Sequence, residues 1–539
     1  MRTGTTAGGS RIMNRRAQTL RQATTIVALA MVLSRILGFF RSSVISALFG
    51  QGNLTDAYNA AFMVPDTFYM VLIGGGISSA FIPTLTRYIA EGNDDEGWRV
   101  TSIAFNFVAL MMTVVLVLAF ILAPWYMHLV EPGFGPAKLH LTVYLTRITL
   151  ASIFFHSLNG VLIGTEYAYN EFWGTALGPL AYNLAIILIG MALASRFGIA
   201  AFAWSTLIGA AINFAVQVIG VLRLRPRYYL SLALRHPGIQ RIFRLILPVM
   251  LGLSIAQINL LINQSFLAST LPKGTVNALF LASRIMLVPV MFAISVGITL
   301  LPGLSRHAVL NDRKAFRRTF SDSLRAVLFV TIPASVGLLL ISHPLVQVLF
   351  QHGQFSEHAT DVTAGALFWY TIGITGYAAY EIISRGFYAL EDTRTPVIIG
   401  ASSLVAGVAM NFIFVHLFRG PHGTGGANGL AFAYSLTGIL NAGLLLRALR
   451  RRAGPLQGRR ILKTSLAALI SSLGMAFFIL GVEQIMPHLL FGPHLFRYLL
   501  MLLWPILVGA VSYAVIAHLL GAEEVAWIMS MLRRRLSRA

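Results

Sequence analysis

Between Ala23 and Leu520, apolar runs of roughly twenty residues recur with little interruption, and this pattern restricts the chain more than any other feature. Each run can cross the ~30 Å hydrocarbon core of a bilayer as a helix rising about 1.5 Å per residue. A backbone in hydrocarbon must satisfy its N–H and C=O groups internally, so only helices and closed barrels can span. The ten-residue alternation of barrel strands is absent. The expected fold is an all-α polytopic membrane protein. Composition agrees, with 56% apolar and 11% charged residues over a 539-residue chain, against about 25% charged in a soluble domain.

About fourteen spans are expected, at roughly 24–49, 57–85, 101–123, 141–164, 173–194, 199–222, 245–269, 276–301, 324–350, 362–384, 396–418, 427–446, 464–486 and 497–520. Loops assigned alternately from an inside N-terminus place about 32 of the 41 Lys and Arg inside, about five outside and about four within spans. Inside clusters include Arg223, Arg225, Arg227, Arg235, Arg241 and Arg244, then Arg313, Lys314, Arg317 and Arg318, then Arg450, Arg451 and Arg452. This asymmetry predicts an even number of spans with both termini cytoplasmic. It also assigns the +22 net charge to loops facing membrane lipids, with no nucleic-acid partner.

The Ser/Thr/Arg-rich stretch to Arg21 precedes a long apolar run with no small-residue cleavage site, which reads as a retained signal-anchor. The chain has no cysteine, so disulfides and thiolate metal sites are excluded. No phosphate-cradling glycine loop, His-Glu-x-x-His or Gly-x-Ser-x-Gly is present, so no enzyme is expected. No cofactor is expected either, and the identity of any coupling ion stays open. His343, His352 and His358 have no metal-ligand spacing and read as solvated loop residues.

The chain repeats itself. Asn59-Ala-Ala-Phe62, Ile82-Pro83, Pro124, Gly133-Phe134 and Tyr167-Ala168 recur as Asn277-Ala-Leu-Phe280, Leu301-Pro302, Pro344, Gly353-Gln-Phe355 and Tyr388-Ala389, at an offset of about 218 to 221 residues. Two six-helix lobes related as parallel repeats are expected, followed by two further helices. The corresponding divisions are a cytoplasmic segment 1–23, lobes 24–223 and 245–447, basic linkers 224–244 and 448–463, a helical pair 464–520 and a tail 521–539. Helix breakers Pro65, Gly74-Gly75-Gly76, Pro289 and Gly297 fall where moving helices would bend.

Charges within the spans are the candidate site. Each costs at least about 2.5–3.5 kcal/mol on insertion scales, so such groups face a bundle interior or a wet cavity. Arg35 and Arg41 lie six residues apart in the first span and point to different helix faces, Arg284 sits deep in the eighth, Asp56 opens the second and Asp66 follows Pro65 within it. Guanidinium groups in a cavity at the lobe interface suit phosphate or carboxylate groups. Secondary candidates are Asp66, Glu381 and Arg385; Glu166, Glu381 and Arg385 occupy comparable span ends, and Arg147 reads as interfacial.

Ser34-Arg35-Ile-Leu-Gly38-Phe-Phe-Arg41, Leu48-Phe-Gly50, Thr55-Asp56-Ala57-Tyr58, Pro65, Ala80-Phe81-Ile-Pro83, Leu349-Phe-Gln-His-Gly353-Gln-Phe355 and Gly386-Phe-Tyr388 to Thr395-Pro396 resemble the MurJ (MviN) family of the multidrug/oligosaccharidyl-lipid/polysaccharide exporter superfamily. The resemblance covers nearly the whole chain. It implies a lipid II flippase of peptidoglycan synthesis in the bacterial cytoplasmic membrane that moves its substrate from the inner to the outer leaflet by alternating access, and a monomer is expected. It also implies two six-helix lobes in a V and a terminal pair forming a groove for the lipid tail. By that similarity Arg41 and Arg284 match cavity arginines, and Arg35 and Asp56 other polar motif positions. The chain departs from the family pattern at Tyr69-Met70 and Ile73-Gly74-Gly75, where an Arg-Arg pair and Ala-Glu-Gly are typical, and at Ser42, where an acidic residue is typical. In the seventh span Gln257, Asn259 and Asn263 offer no carboxylate for the family's sodium site. Export of another polyprenyl-diphosphate-linked glycan, and a non-transporting scaffold for envelope enzymes, are the alternatives.

Overall fold

A computed structural model describes residues 29–30, 32–70, 80–419, 425–489 and 494–525. The segment 1–23, the Gly74-Gly75-Gly76 breaker and most of the tail lie outside the described residues. Among the described residues the regular structure is helical throughout. In chain order the helices are α1 (Val32–Phe49), α2 (Asn53–Tyr69), α3 (Ile82–Ala90), α4 (Asp94–Val130), α5 (Pro136–Ala168), α6 (Trp173–Phe197), α7 (Ala200–Leu222), α8 (Pro237–Leu261), α9 (Thr275–Val309), α10 (Arg313–Leu340), α11 (Ser342–Phe350), α12 (Glu357–Thr371), α13 (Ile374–Ala389), α14 (Arg394–Phe418), α15 (Gly426–Ala453), α16 (Gly458–Leu489) and α17 (His494–Leu519).

Among the described residues, eleven of these are long and apolar enough to cross a bilayer. Their surfaces confirm the solvent: Ile121, Leu188, Val405 and Phe477 are large apolar side chains exposed on the outside of the protein, an arrangement that water would not tolerate over so many helices and that lipid favours. The protein is thus an all-α polytopic membrane protein.

The expected second, seventh and tenth spans are absent from the eleven. The second is described only as α2 and α3, since residues 71–79 between them are not. The seventh is α8 continued by a π-helical turn, Ile262–Leu267. The tenth is broken into α12 and α13. At the break Ser435 Oγ donates to the carbonyls of Trp369 (2.7 Å) and Tyr370 (3.1 Å), and the Ser435 backbone lies so near Gly373 that a Cβ there would stand 2.7 Å from it. The ninth expected span, 324–350, is also corrected. Asp312 caps α10 early by accepting from the Ala315 amide at 2.9 Å, and α10 stops at Leu340. Pro344 has no N–H to continue the ladder and sits instead in the first turn of α11.

The chain divides into two compact units, Met1–Ile45 with Ala57–Val130 and Phe134–Gln257, and Ser46–Asp56 with Glu131–Gly133 and Ile258–Ala539. In the first, Phe81, Leu85, Val100, Ile103, Val161 and Ile242 form a core from α3, α4, α5 and α8, and α6 packs on α7 where Gly190 receives the Phe202 ring. In the second, α9, α10, α13 and α15 share a core that includes Leu304, Phe320, Ile382, Phe387 and Leu445. Because lipid is as apolar as leucine, close packing and hydrogen bonds hold such helices together; Gly373, just before α13, and Gly376 within it let the α15 backbone approach.

The second unit also contains α16 and α17, which pack on α10 through Phe329, Met475, Ile479 and Tyr513. An ionic tie closes that packing. Arg325 of α10 donates from Nε to Thr464 Oγ1 (2.8 Å) and from Nη2 to Glu523 and Glu524 (2.8 Å each), so α10, α16 and the residues following α17 meet at one guanidinium.

Candidate functional site

In the first unit, Arg41 is the best-supported intramembrane cation. It is half-buried on α1, with its Cζ 5.9 Å from the centroid of the Tyr182 ring on α6. Tyr58 of α2 and Tyr182 both feel the charges of Arg41 and Asp66, and His156 of α5 stands edge-on to Tyr182 at 5.2 Å. Asn183, the next residue on α6, donates to Ser34 Oγ at 3.1 Å, which fixes α1 against α6 about two turns from Arg41. The structure therefore gathers Arg41 and Asp66 with two tyrosines and a histidine. Arg35, also on α1, is exposed.

Tyr58, Tyr182 and Asn183 were missed by inspection for charge. The available signal was the adjacent Tyr182-Asn183 pair, polar in the middle of the otherwise apolar α6.

In the second unit, Asp56 is buried and serves as a helix cap. Its Oδ2 accepts from the Gly274 amide at 2.7 Å and its Oδ1 from the Asn277 amide at 2.9 Å. These are donors that the first turn of α9 would otherwise leave without a backbone partner, and the carboxylate also complements the positive end of the helix. Gly274 adopts φ 92°, the left-handed region, to start that turn. Arg284 lies about 14 Å further along α9, exposed, with its Cζ 4.7 Å from the Phe280 ring centroid. Glu381 and Arg385 pair across one turn of α13 at 3.5 Å, and Arg385 lies on Gly297 of α9, where a Cβ would meet its Cγ and Nε at 3.3 Å.

Glu166 belongs with neither group. It is fully buried in the first unit, where its Oε2 accepts from the Thr175 amide (2.8 Å) and hydroxyl (2.6 Å) and so caps α6. Of the amides named in the seventh span, Asn263 is engaged within the protein. Asn263 donates to Asn411 Oδ1 (2.9 Å) and the Leu430 carbonyl (3.1 Å) and accepts from Tyr370 (3.2 Å). Two motifs quoted from the sequence also meet. Gly50 and Gly353, both at positive φ, bring their turns together so that the Gln354 amide donates to the Ala47 carbonyl at 2.8 Å.

With this geometry in place, the comparisons with known proteins are specific. Residues 45–500 match the model of the family described as Lipid II flippase MurJ. A lipid II flippase MurJ of Burkholderia cenocepacia is 30% identical over 431 residues, covering 78% of this chain and 82% of that protein. A solved structure, Lipid II flippase MurJ in an inward closed conformation, superposes with a TM-score of 0.73 at 28% identity, covering 92% of this chain and 98% of that one. An inward-facing multidrug resistance MATE family transporter of the MOP superfamily superposes with a TM-score of 0.68 at 14% identity, covering 81% of this chain and 99% of that one, a likeness of fold. The family model spans both compact units and all but the ends of the chain: the protein belongs to the lipid II flippase MurJ family.

Proposed function

We infer that this protein translocates lipid II from the inner to the outer leaflet of the bacterial cytoplasmic membrane, exposing the bound precursor alternately to the two sides. The reading is one of transport, not catalysis. The observation that carries it is the match of residues 45–500 to the flippase family, in a chain with guanidinium groups inside its spans. Arg41 rests on Tyr182 and Arg284 on Phe280. A guanidinium on a ring keeps N–H donors at its edge, and planar donors of this kind suit a diphosphate. In this reading Arg41 and Arg284 bind the diphosphate, Arg35 and Asp66 set the local charge, Asp56 holds α9, and Glu381 with Arg385 orients α13 against it. The reading also takes the chain as fourteen spans in two parallel-repeat lobes plus a terminal pair, acting as a monomer with both termini in the cytoplasm.

The test is complementation of cells depleted of their own lipid II flippase, with outer-leaflet lipid II as the readout. Wild type restores exposure and Arg284→Ala does not, while both accumulate in the membrane to the same level. Restored growth with Arg284→Ala would overturn the assignment of that residue. Failure of the wild type to expose lipid II, with a different polyprenyl-linked saccharide trapped inside cells that lack this protein, would overturn the substrate.

A further inference from the structure

The segment joining α7 to α8 is an extended strap held along α4. Asn106 of α4 donates to the carbonyls of Tyr229 and Ser231, at 3.0 Å each. Ser102 accepts from the Tyr229 amide at 3.1 Å. Nearer the start of α4, Arg227 pairs with Asp95, and His236 contacts Glu96 at 2.5 Å while its Nδ1 accepts from the Gly238 amide. The strap therefore enters at the level of Asp95, runs along α4 as far as Asn106, and returns to the level of Glu96.

Depth follows from α4 itself. Its outward apolar side chains run from Leu110 to Leu129, nineteen residues or about 28 Å of helix, which matches a hydrocarbon core. Asn106 lies about 6 Å before that belt, inside a headgroup layer roughly 5–7 Å deep. Glu96 lies about 21 Å before it, in water. The turning point of the strap is thus at headgroup depth, and there it carries Leu230, 90% exposed, and Leu232, 51% exposed. An apolar residue that open to water inside a folded segment has a natural occupant at this depth. Arg225 and Arg235 are exposed on either side of it in the sequence, and a cleft of about 600 Å³ behind it is lined by the carboxylates of Asp95 and Glu96 with Arg99, Tyr229, Leu230 and Ser231.

We propose that the strap is an interfacial anchor, with Leu230 and Leu232 seated in the headgroup layer against the first acyl carbons of the surrounding phospholipids. The alternation of outward leucines with gripped backbone fixes which side chains enter the lipid.

The absence of cysteine from the chain makes the test direct. Full-length protein carrying a single nitroxide at Leu230→Cys, Leu118→Cys or Glu91→Cys is placed in vesicles of phosphatidylethanolamine and phosphatidylglycerol, and relaxation by oxygen and by a water-soluble nickel chelate is measured. The label at 118 reports lipid and that at 91 reports water. The label at 230 is expected to lose nickel relaxation relative to 91, and to regain it when Asn106→Ala releases the strap. An unchanged label at 118 in the Asn106→Ala protein shows that the fold is intact. Nickel access at 230 equal to that at 91 overturns the anchor. Identical depth in the Asn106→Ala protein overturns the role of the strap.

Discussion

Replacing Asp56 with alanine separates a structural role from a substrate-binding one. The side chain is 1% exposed and its two oxygens accept from the Gly274 and Asn277 amides. Loss of a cap costs about 0.5–2 kcal/mol, and each buried amide left without an acceptor about 1–3 kcal/mol. These terms overlap, so Asp56→Ala is expected to lose about 2–4 kcal/mol of unfolding free energy. Asp56→Asn keeps one carbonyl oxygen but turns an NH₂ toward the other amide, and about half that loss is expected. Unfolding of the purified protein titrated with SDS in mixed micelles measures both. Vesicles containing the same variants report translocation by whatever fraction remains folded. If Asp56→Ala unfolds within about 0.5 kcal/mol of wild type yet translocates nothing, the capping argument fails and the carboxylate acts on the substrate.

Gly353 and Gly92 form an internal comparison, since both have positive φ but only Gly353 is crowded, its missing Cβ facing the Ala47 carbonyl. Gly92→Ala is expected to cost about 1 kcal/mol and Gly353→Ala at least about 2 kcal/mol in the same assay; equal losses would refute the close-approach argument. At the ionic tie, the hydrogen bond and charge of Arg325 hold the Glu523 carboxyl below its ordinary value of 4.5. A group with a depressed folded pKa stabilises fully above its unfolded value and loses that contribution as pH falls through the folded one. The stability gap between wild type and Glu523→Gln is therefore expected to be constant near neutrality and to close below about pH 4.5. Because Glu523 is mostly exposed, the gap should be small and should shrink with salt. A gap that persists unchanged in acid would refute the tie.

The membrane fold was legible because each long apolar run reports its own solvent. Windows such as that of α4 or α17 need no tertiary partner to be recognised as spans. The breaks were not legible, for the opposite reason. Nothing between Ala364 and Ala389 announces an interruption, since Gly373 is one of many glycines in apolar helices; the break is made by Ser435, more than sixty residues away, whose hydroxyl takes the carbonyls of Trp369 and Tyr370. Pro344 carried a signal, but Pro124, Pro179 and Pro333 sit inside unbroken helices. Proline alone therefore does not distinguish a bend from an end in this environment.

The same division applies to the charged residues. That Arg41, Asp56, Arg284, Glu381 and Arg385 need special surroundings follows from the cost of charge in hydrocarbon, and sequence suffices for that. Which surroundings they have depends on backbone geometry that hydropathy does not encode. Asp56 looks like a site carboxylate in the sequence, yet it lies across the first turn of another helix, where amide donors and the helix dipole make an anion stable without any cation. Glu381 takes the cation one turn away. Among the described spans, a carboxylate near an apolar run is thus first accounted for by a helix start or a neighbouring arginine. A guanidinium has no such use for a helix N-terminus, because like signs repel. Arg41 and Arg284 instead have their Cζ atoms over aromatic rings, 5.9 Å from the Tyr182 centroid and 4.7 Å from the Phe280 centroid. That asymmetry makes the two arginines better candidates for anionic cargo than the acidic residues are for a coupling cation.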